Sequence, residues 1–150
     1  MIQGSHFKYM RIISFGYTTA ALVAERKDVT RREWKDTYGY SFKQGEKVFA
    51  SDRDLRYGGK KIAILELTHK PIKESSLLMP DRDYEGEGFA YMDENKIYKH
   101  FPNAIKQFGS LYNYFKWQQS QDIQEWVIRF KVLEFLKPEM KEDKQMQLIA

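Results

Sequence analysis

The chain has 150 residues, of which 42% are hydrophobic and 31% charged, and its formal net charge is +4. This length and composition are typical of one soluble globular domain with a substantial core. The absence of Cys excludes disulfides, thiolate metal sites and cysteine nucleophiles.

The charges are unevenly distributed along the chain. Residues 1–61 contain 13 Lys and Arg against 7 Asp and Glu, whereas residues 81–94 contain one Arg against six acidic residues. The basic first part favours an anionic partner such as nucleic acid, and ordinary solvated charge explains it equally well. No apolar run approaches a membrane span and residues 1–6 have no apolar signal core, so we expect a cytoplasmic protein without a membrane partner. The three His lack ligand spacing, and we expect no metal or other cofactor.

Several segments have the pattern of short strands joined by polar loops. Predicted strands cover residues 9–15, 47–51, 61–68 and 123–135, and predicted loops cover 38–46 and 52–60. A helix begins at Thr18 or Thr19, and its expected apolar face consists of Ala20, Ala21, Val23 and Ala24, with Leu22 nearby. This order favours an α+β fold, a small, partly closed β-barrel with peripheral helices.

The middle of the chain predicts helices. Glu74 to Met79 predict a short helical turn, and Asp81 is expected to cap a second short helix over residues 82–87. Within residues 95–121, aromatic and aliphatic side chains recur every three or four positions from Phe101, as on one helical face. We expect one or two amphipathic helices that pack on the barrel, with a stacking surface for bases as the alternative.

The densest polar segment is Arg26 to Lys35, which contains five cations, a Thr and a Trp. A preceding helix C-terminus favours cations by only about 0.3–1 kcal/mol each, which explains one or two of them. Lys27 and Thr30 are three residues apart, so a helical turn or tight bend places both on one face. Arg31 and Arg32 are adjacent, so on a strand they point to opposite faces.

The chemistry of the pair depends on the protonation of Lys27. A Thr hydroxyl needs a base to become a nucleophile, and Lys is a base only when neutral. At pH 7 this requires a pKa lowered by about three units, roughly 4 kcal/mol. Burial and neighbouring Arg lower the pKa, whereas a close carboxylate raises it, so Lys27 is either a base or a fixed cation.

The remaining residues of the segment suit ligand binding. Guanidinium groups bind phosphate or carboxylate and stack on bases, which makes Arg26, Arg31 and Arg32 candidate contacts. Candidates for a stacking wall are Trp34, Tyr38 and Tyr57. The structural alternatives are a surface pair between Arg32 and Asp36, a core role for Trp34 and a helix cap at Thr30. Asp81, Asp83 and Glu85 could bind a hard metal ion, but capping of a helix start explains them better.

Three motifs of the chain resemble the ASCH domain, a branch of the PUA-like superfamily of RNA-associated β-barrels. Residues 25–31 match the family's Gly-x-Lys-x-x-Thr-Arg pattern except that Glu25 replaces Gly. Residues 45–48 (Gly-Glu-Lys-Val) resemble the family's turn into the next strand, and residues 84–89 resemble its Ala-x-x-Glu-Gly-Phe helix end. The resemblance implies an ASCH domain over residues 10–137 with an aromatic-rich helical insertion at about 95–121. From their residues alone, we expect a leader or expression remnant at 1–9 and a polar tail at 138–150.

The resemblance also implies a function. Relatives include RNA-binding modules, ribonucleases and a bacterial branch that hydrolyses acetylcytidine, whose proposed catalytic Lys, Thr and Glu fall on Lys27, Thr30 and Glu87. We expect binding of RNA or a modified nucleoside, or of DNA, in a basic cleft formed by Arg26, Arg31, Arg32, Trp34 and Tyr57. The alternatives are nucleoside deacylation, metal-independent RNA cleavage and protein interaction through residues 101–117.

Overall fold

The computed structural model describes residues 10–137, and the expectations for residues 1–9 and 138–150 lie outside this range. The strands are β1 (Ile12–Ser14), β2 (Val29–Arg32), β3 (Lys47–Ser51), β4 (Lys61–Leu67), β5 (Ile72–Ser75) and β6 (Gln124–Phe135). They form one sheet in the order β1-β3-β4-β6-β2, and β5 also pairs with β6. β1 and β3 are parallel, whereas the other pairs are antiparallel.

The long strand β6 curls the sheet into a half-barrel. Its first part pairs with β2 and β5, and its second part pairs with β4. Because the twisted strand β6 pairs with three strands, β2 and β1 approach each other at the open side of the half-barrel. There Arg32 of β2 donates a hydrogen bond to the Ser14 carbonyl of β1. The predicted α+β fold, a small barrel with peripheral helices, is confirmed.

Six α-helices surround the sheet in the described part of the chain. They are α1 (Thr19–Val23), α2 (Asp36–Tyr40), α3 (Asp83–Gly86), α4 (Phe89–Glu94), α5 (Pro102–Phe108) and α6 (Leu111–Gln119). Short 3-10 helices cover Leu55–Tyr57 and Ser76–Leu78. None of the helices in residues 10–137 has the length and hydropathy to cross a bilayer.

Two apolar clusters stabilise these layers. One lies against the sheet and includes Phe15, Leu22 and Trp126. The other lies among the helices and includes Met92, Leu111 and Phe115, so the aromatic segment packs mainly on other helices rather than on the barrel. The helix α1 links the clusters, because Leu22 belongs to the first and Ala21 to the second.

Three local predictions are wrong. The buried residues of α1 are Ala21 and Leu22, whereas Val23 is exposed, because this five-residue helix is wedged between the two clusters. The loop predicted at residues 38–46 begins as α2, whose Gly39 permits contact with a ring: a Cβ at Gly39 would lie 2.2 Å from Trp126 Cε2. Part of the helical turn predicted at Glu74 is strand β5, because residues 72–75 pair with β6.

The predicted cap at Asp81 is also wrong. Arg82 precedes α3 without a side-chain cap, and the Asp81 carboxylate instead accepts hydrogen bonds from Lys116 and Gln119 of α6. Asp81 therefore attaches the end of α6 to the segment that carries α3.

Candidate functional site

A cavity of about 670 Å³ lies between the half-barrel and the helical layer. β2 and the loop before it contribute the cavity residues Lys27, Thr30, Arg31 and Arg32, and Glu87 follows α3. Residues 60 positions apart in sequence thus line one space. The geometry brings together the three residues that the resemblance marks as catalytic.

Lys27 is buried in the wall of the cavity. Its ammonium nitrogen Nζ lies 2.8 Å from both the Val29 and the Glu87 carbonyl oxygens, and 3.5 Å from Glu87 Oε1. Burial lowers the pKa of Lys27 to about 8; the Glu87 charge opposes this effect, and Arg32 and Arg31 add to it. Roughly one molecule in ten therefore carries a neutral Lys27 at pH 7.

Arg31 is held by two acids of the segment around α3. Its Nη1 lies 2.8 Å from Glu87 Oε2, and its Nη2 lies 2.7 Å from Asp83 Oδ2. Asp83 also accepts two 2.9 Å hydrogen bonds from Arg129 of β6. The uneven charge distribution in the sequence is thus neutralised within the fold, because the acidic segment pairs with the basic one.

Arg32 has a different environment. It donates hydrogen bonds to Thr30 Oγ1 (3.1 Å) and to the Ser14 carbonyl, and its guanidinium lies 5.2 Å from the centre of the Phe15 ring. The alternative pair with Asp36 is wrong, because Asp36 pairs with Lys73. No described carboxylate forms an ion pair with Arg32, and burial lowers its pKa. The helix cap considered for Thr30 is also wrong, because Thr30 lies within β2.

The structure places the other predicted ligand contacts as follows. Tyr57 lines the cavity at an exposed position. Arg26 does not line it, and instead pairs with Glu85 and Glu94. Trp34 also lies elsewhere, stacked on Phe42 at 4.8 Å between ring centroids, as in its alternative role in the core.

The acids considered for a metal site are distributed among separate cations. Asp81 contacts Lys116, Asp83 contacts Arg31 and Arg129, and Glu85 contacts Arg26. Within residues 10–137, no group of three or more His, Cys, Asp or Glu side chains is arranged to hold a metal ion.

Other cavity residues were not identified from the sequence. Aromatic side chains provide apolar walls, namely Phe15, Tyr17, Phe89, Phe101 and Tyr114. Polar side chains come from Arg53 and Asp54 of the loop after β3, Gln118 of α6 and Glu125 of β6. The helical spacing that begins at Phe101 contained no signal that Phe101 borders a cavity, and it did not include Tyr114.

Two backbone positions shape the wall around Lys27 and Glu87. Glu25 stands where the ASCH pattern has Gly. Its φ is 60°, a left-handed conformation that glycine adopts without strain but that is strained for Glu. Gly88 has φ = 89°, and a Cβ there would lie 2.5 Å from Ala21 Cβ and 3.6 Å from Lys27 Cβ. Because Gly88 has no side chain, Ala21 of α1 and Lys27 can pack closely against its backbone.

Gly88→Ala is expected to reduce the free energy of unfolding by about 2 kcal/mol, because it combines left-handed strain with overpacking against Ala21. Gly45→Ala is a matched control, since Gly45 has φ = 83° but a Cβ added there would meet nothing within 4 Å. Urea denaturation should show a larger loss for Gly88→Ala than for Gly45→Ala. Equal losses would mean that strain alone acts at Gly88.

The fold is similar to that of protein EF3133 from Enterococcus faecalis V583, which is assigned to the family DUF984. The TM-score is 0.53 at 16% sequence identity, over 91% of this chain and 92% of that chain. At this identity the likeness shows a shared fold alone. No family model matches the sequence, and no curated protein matches it.

Proposed function

We propose that this chain is an ASCH-like protein that binds a nucleotide or a modified nucleoside, free or within RNA, in the cavity between sheet and helices. The observation that supports this most is the environment of Arg32. Its guanidinium borders the cavity, and its hydrogen bonds go to a hydroxyl and a carbonyl rather than to a carboxylate. Such a cation can bind a phosphate without first losing an ion pair.

The size and walls of the cavity support the same ligand class. A volume of about 670 Å³ is within the range of small-molecule sites. The half-buried ring of Tyr114 offers an apolar face for a base, and the exposed Tyr17 and Tyr57 offer stacking surfaces at the cavity edge. A ligand with one aromatic ring system and one anionic group therefore matches the side chains available.

Arg32→Met is expected to weaken nucleoside monophosphate binding at least tenfold, because it removes the charge that contacts the phosphate. Affinity for the corresponding nucleosides should change less. Isothermal titration calorimetry on both ligand sets measures the difference. Arg26→Met is the matched control, since it removes an equal charge from a residue that pairs with Glu85 and Glu94 outside the cavity.

Two results would contradict this proposal. One is wild-type protein that binds no nucleoside, nucleotide or RNA oligomer at low salt. The other is equal loss of nucleotide affinity in Arg32→Met and Arg26→Met, which would mean that general surface charge attracts the ligand. RNA binding should also weaken as salt increases, since phosphate contacts release counterions.

A second candidate function is hydrolysis of an acylated nucleoside such as acetylcytidine, supported by the presence of Lys27, Thr30 and Glu87 in the lining of one cavity. In this reaction Thr30 Oγ1 bonds to the acyl carbon while its proton passes to neutral Lys27. The carbon–nitrogen bond breaks, the leaving amine takes that proton, and water then hydrolyses the threonyl ester. Neutral Lys27 has two N–H donors, which match the Val29 and Glu87 carbonyls, and its lone pair takes the third position, which in the charged form faces Glu87 Oε1 at 3.5 Å.

Thr30→Val is expected to lower acetylcytidine deacetylation at least about 100-fold, because valine has a similar shape but no hydroxyl. Release of cytidine, measured by chromatography, reports the rate. Thr37→Val, at an exposed residue of α2, is the control and should retain activity. If the wild-type protein does not deacetylate acetylcytidine, this substrate is excluded. The proposal of nucleotide binding is unaffected by that result and is tested by calorimetry.

A further inference from the structure

The cavity contains a carboxyl group, Glu125, that belongs to none of the sequence motifs. Glu125 is half-buried near the start of β6, and Tyr114 and Gln118 of α6 line the same cavity. Gln118 Nε2 lies 3.4 Å from the Tyr114 hydroxyl oxygen. Within residues 10–137, the Glu125 carboxyl has no hydrogen bond and no ion pair of its own.

Carboxylates outnumber cations around Glu125. Arg31 already pairs with Glu87 at 2.8 Å and with Asp83 at 2.7 Å, and Glu74 lies 4.0 Å from its Nη2. Glu74 is the cross-strand partner of Glu125 in the β5–β6 pair. Burial raises the pKa of Glu125, and the charges of Glu87 and Glu33 raise it further against the effect of Arg31. A half-buried carboxyl in this position is available to accept a hydrogen bond from a donor outside the protein.

We propose that Glu125 determines base specificity by accepting a hydrogen bond from the exocyclic amino group of a bound base. This inference rests on the proposed nucleotide binding and narrows the ligand to nucleotides whose base carries an amino group, of the adenine or cytosine type. Arg32 then contacts the phosphate, and Glu125 contacts the base. Tyr114 and Gln118 add groups that both donate and accept hydrogen bonds on the same part of the wall.

The selectivity follows from the acceptor character of a carboxylate. Cytosine has an amino donor where uracil has a carbonyl acceptor, and adenine and hypoxanthine differ in the same way. A carbonyl oxygen next to Glu125 leaves two acceptors facing each other without a proton between them. Discrimination against such bases therefore arises from repulsion as well as from the lost hydrogen bond.

The test is a comparison of four ligands by calorimetry: CMP with UMP, and AMP with IMP. Wild-type protein is expected to bind the amino member of at least one pair roughly tenfold more tightly. Glu125→Gln has nearly the same shape and offers an amide donor, so it should lose or reverse that preference. Glu74→Gln is the matched control, because it neutralises the cross-strand neighbour, which does not line the cavity.

A preference that Glu125→Gln abolishes and Glu74→Gln retains supports the inference, and the ligand pair concerned identifies a purine or a pyrimidine site. Binding without any preference in wild-type protein, or a preference unchanged in Glu125→Gln, overturns the inference while nucleotide binding stands. Absence of binding to all four ligands overturns both.

Discussion

Replacement of Asp83 by Asn is expected to reduce the free energy of unfolding by about 3–5 kcal/mol, because it removes the buried carboxylate that Arg31 and Arg129 share and leaves Arg31 with Glu87 as its close counter-charge. Asp83 is 1% exposed and accepts hydrogen bonds from Arg31 and twice from Arg129. An Asn side chain keeps the shape but presents NH₂ donors to groups that are themselves donors. The variant thus loses the charge and part of the hydrogen bonding together.

The matched control is Asp81→Asn. Asp81 lies two residues earlier and pairs with Lys116, but 81% of its side-chain surface is exposed, so its loss should cost less than about 1 kcal/mol. Urea denaturation of both variants at neutral pH gives the two free energies. Similar small losses would contradict the argument, since they would mean that water or local rearrangement compensates Arg31 and Arg129.

The same network predicts a sensitivity to acid. Burial alone would raise the pKa of Asp83, but the hydrogen bonds from Arg129 and Arg31 outweigh it and hold the pKa below its ordinary value of 3.8. The stability from Asp83 is therefore fully present above this ordinary value, and it is lost as the pH falls through the lower pKa of the folded state. Arg31 also lines the cavity, so we expect protonation of Asp83 to weaken one contact of the cavity wall as well as the fold.

Local patterns predicted β1, β3, β4 and β6, which are rich in apolar residues, but they did not predict β2 and β5, which are mainly polar. Residues 123–135 were predicted as one strand, and β6 spans Gln124–Phe135 with Trp126, Ile128 and Phe130 in the core. The helix α2 was missed because its Tyr-Gly-Tyr sequence is typical of a loop. Its helical form depends on contact between Gly39 and the ring of Trp126, which lies 87 residues further along the chain.

The predicted site residues converge in part. Lys27, Thr30, Arg31, Arg32, Tyr57 and Glu87 line one cavity. Arg26 and Trp34 lie elsewhere, because Arg26 pairs with Glu94 and Trp34 stacks on Phe42. The composition of the basic segment contained no sign of either partner. Glu125 was missed for a related reason: it occupies an ordinary position in an alternating strand, and only the packing of α6 over β6 makes it part of a cavity.

Lys27→Met is expected to change how the stability of the protein depends on pH. The pKa of Lys27 is about 8 in the folded protein against 10.5 for an ordinary lysine. Between these values the unfolded chain retains a proton that the folded chain has lost, so this group increases stability as the pH rises. From pH 7 to 9.5, the free energy of unfolding of the wild-type protein should increase by about 2 kcal/mol relative to Lys27→Met.

Denaturation at pH 7, 8 and 9.5 tests this expectation, and Lys35→Met, at an exposed residue of the same segment, reports the effect of losing one positive charge alone. The range stays below pH 10, where Tyr84, Tyr98 and Tyr114, whose pKa values burial raises, would add opposing effects. A difference between wild-type and Lys27→Met that does not vary with pH would mean that Lys27 stays fully charged. Lys27 would then be a fixed cation beside Glu87, and the base needed for nucleophilic attack by Thr30 would be lacking.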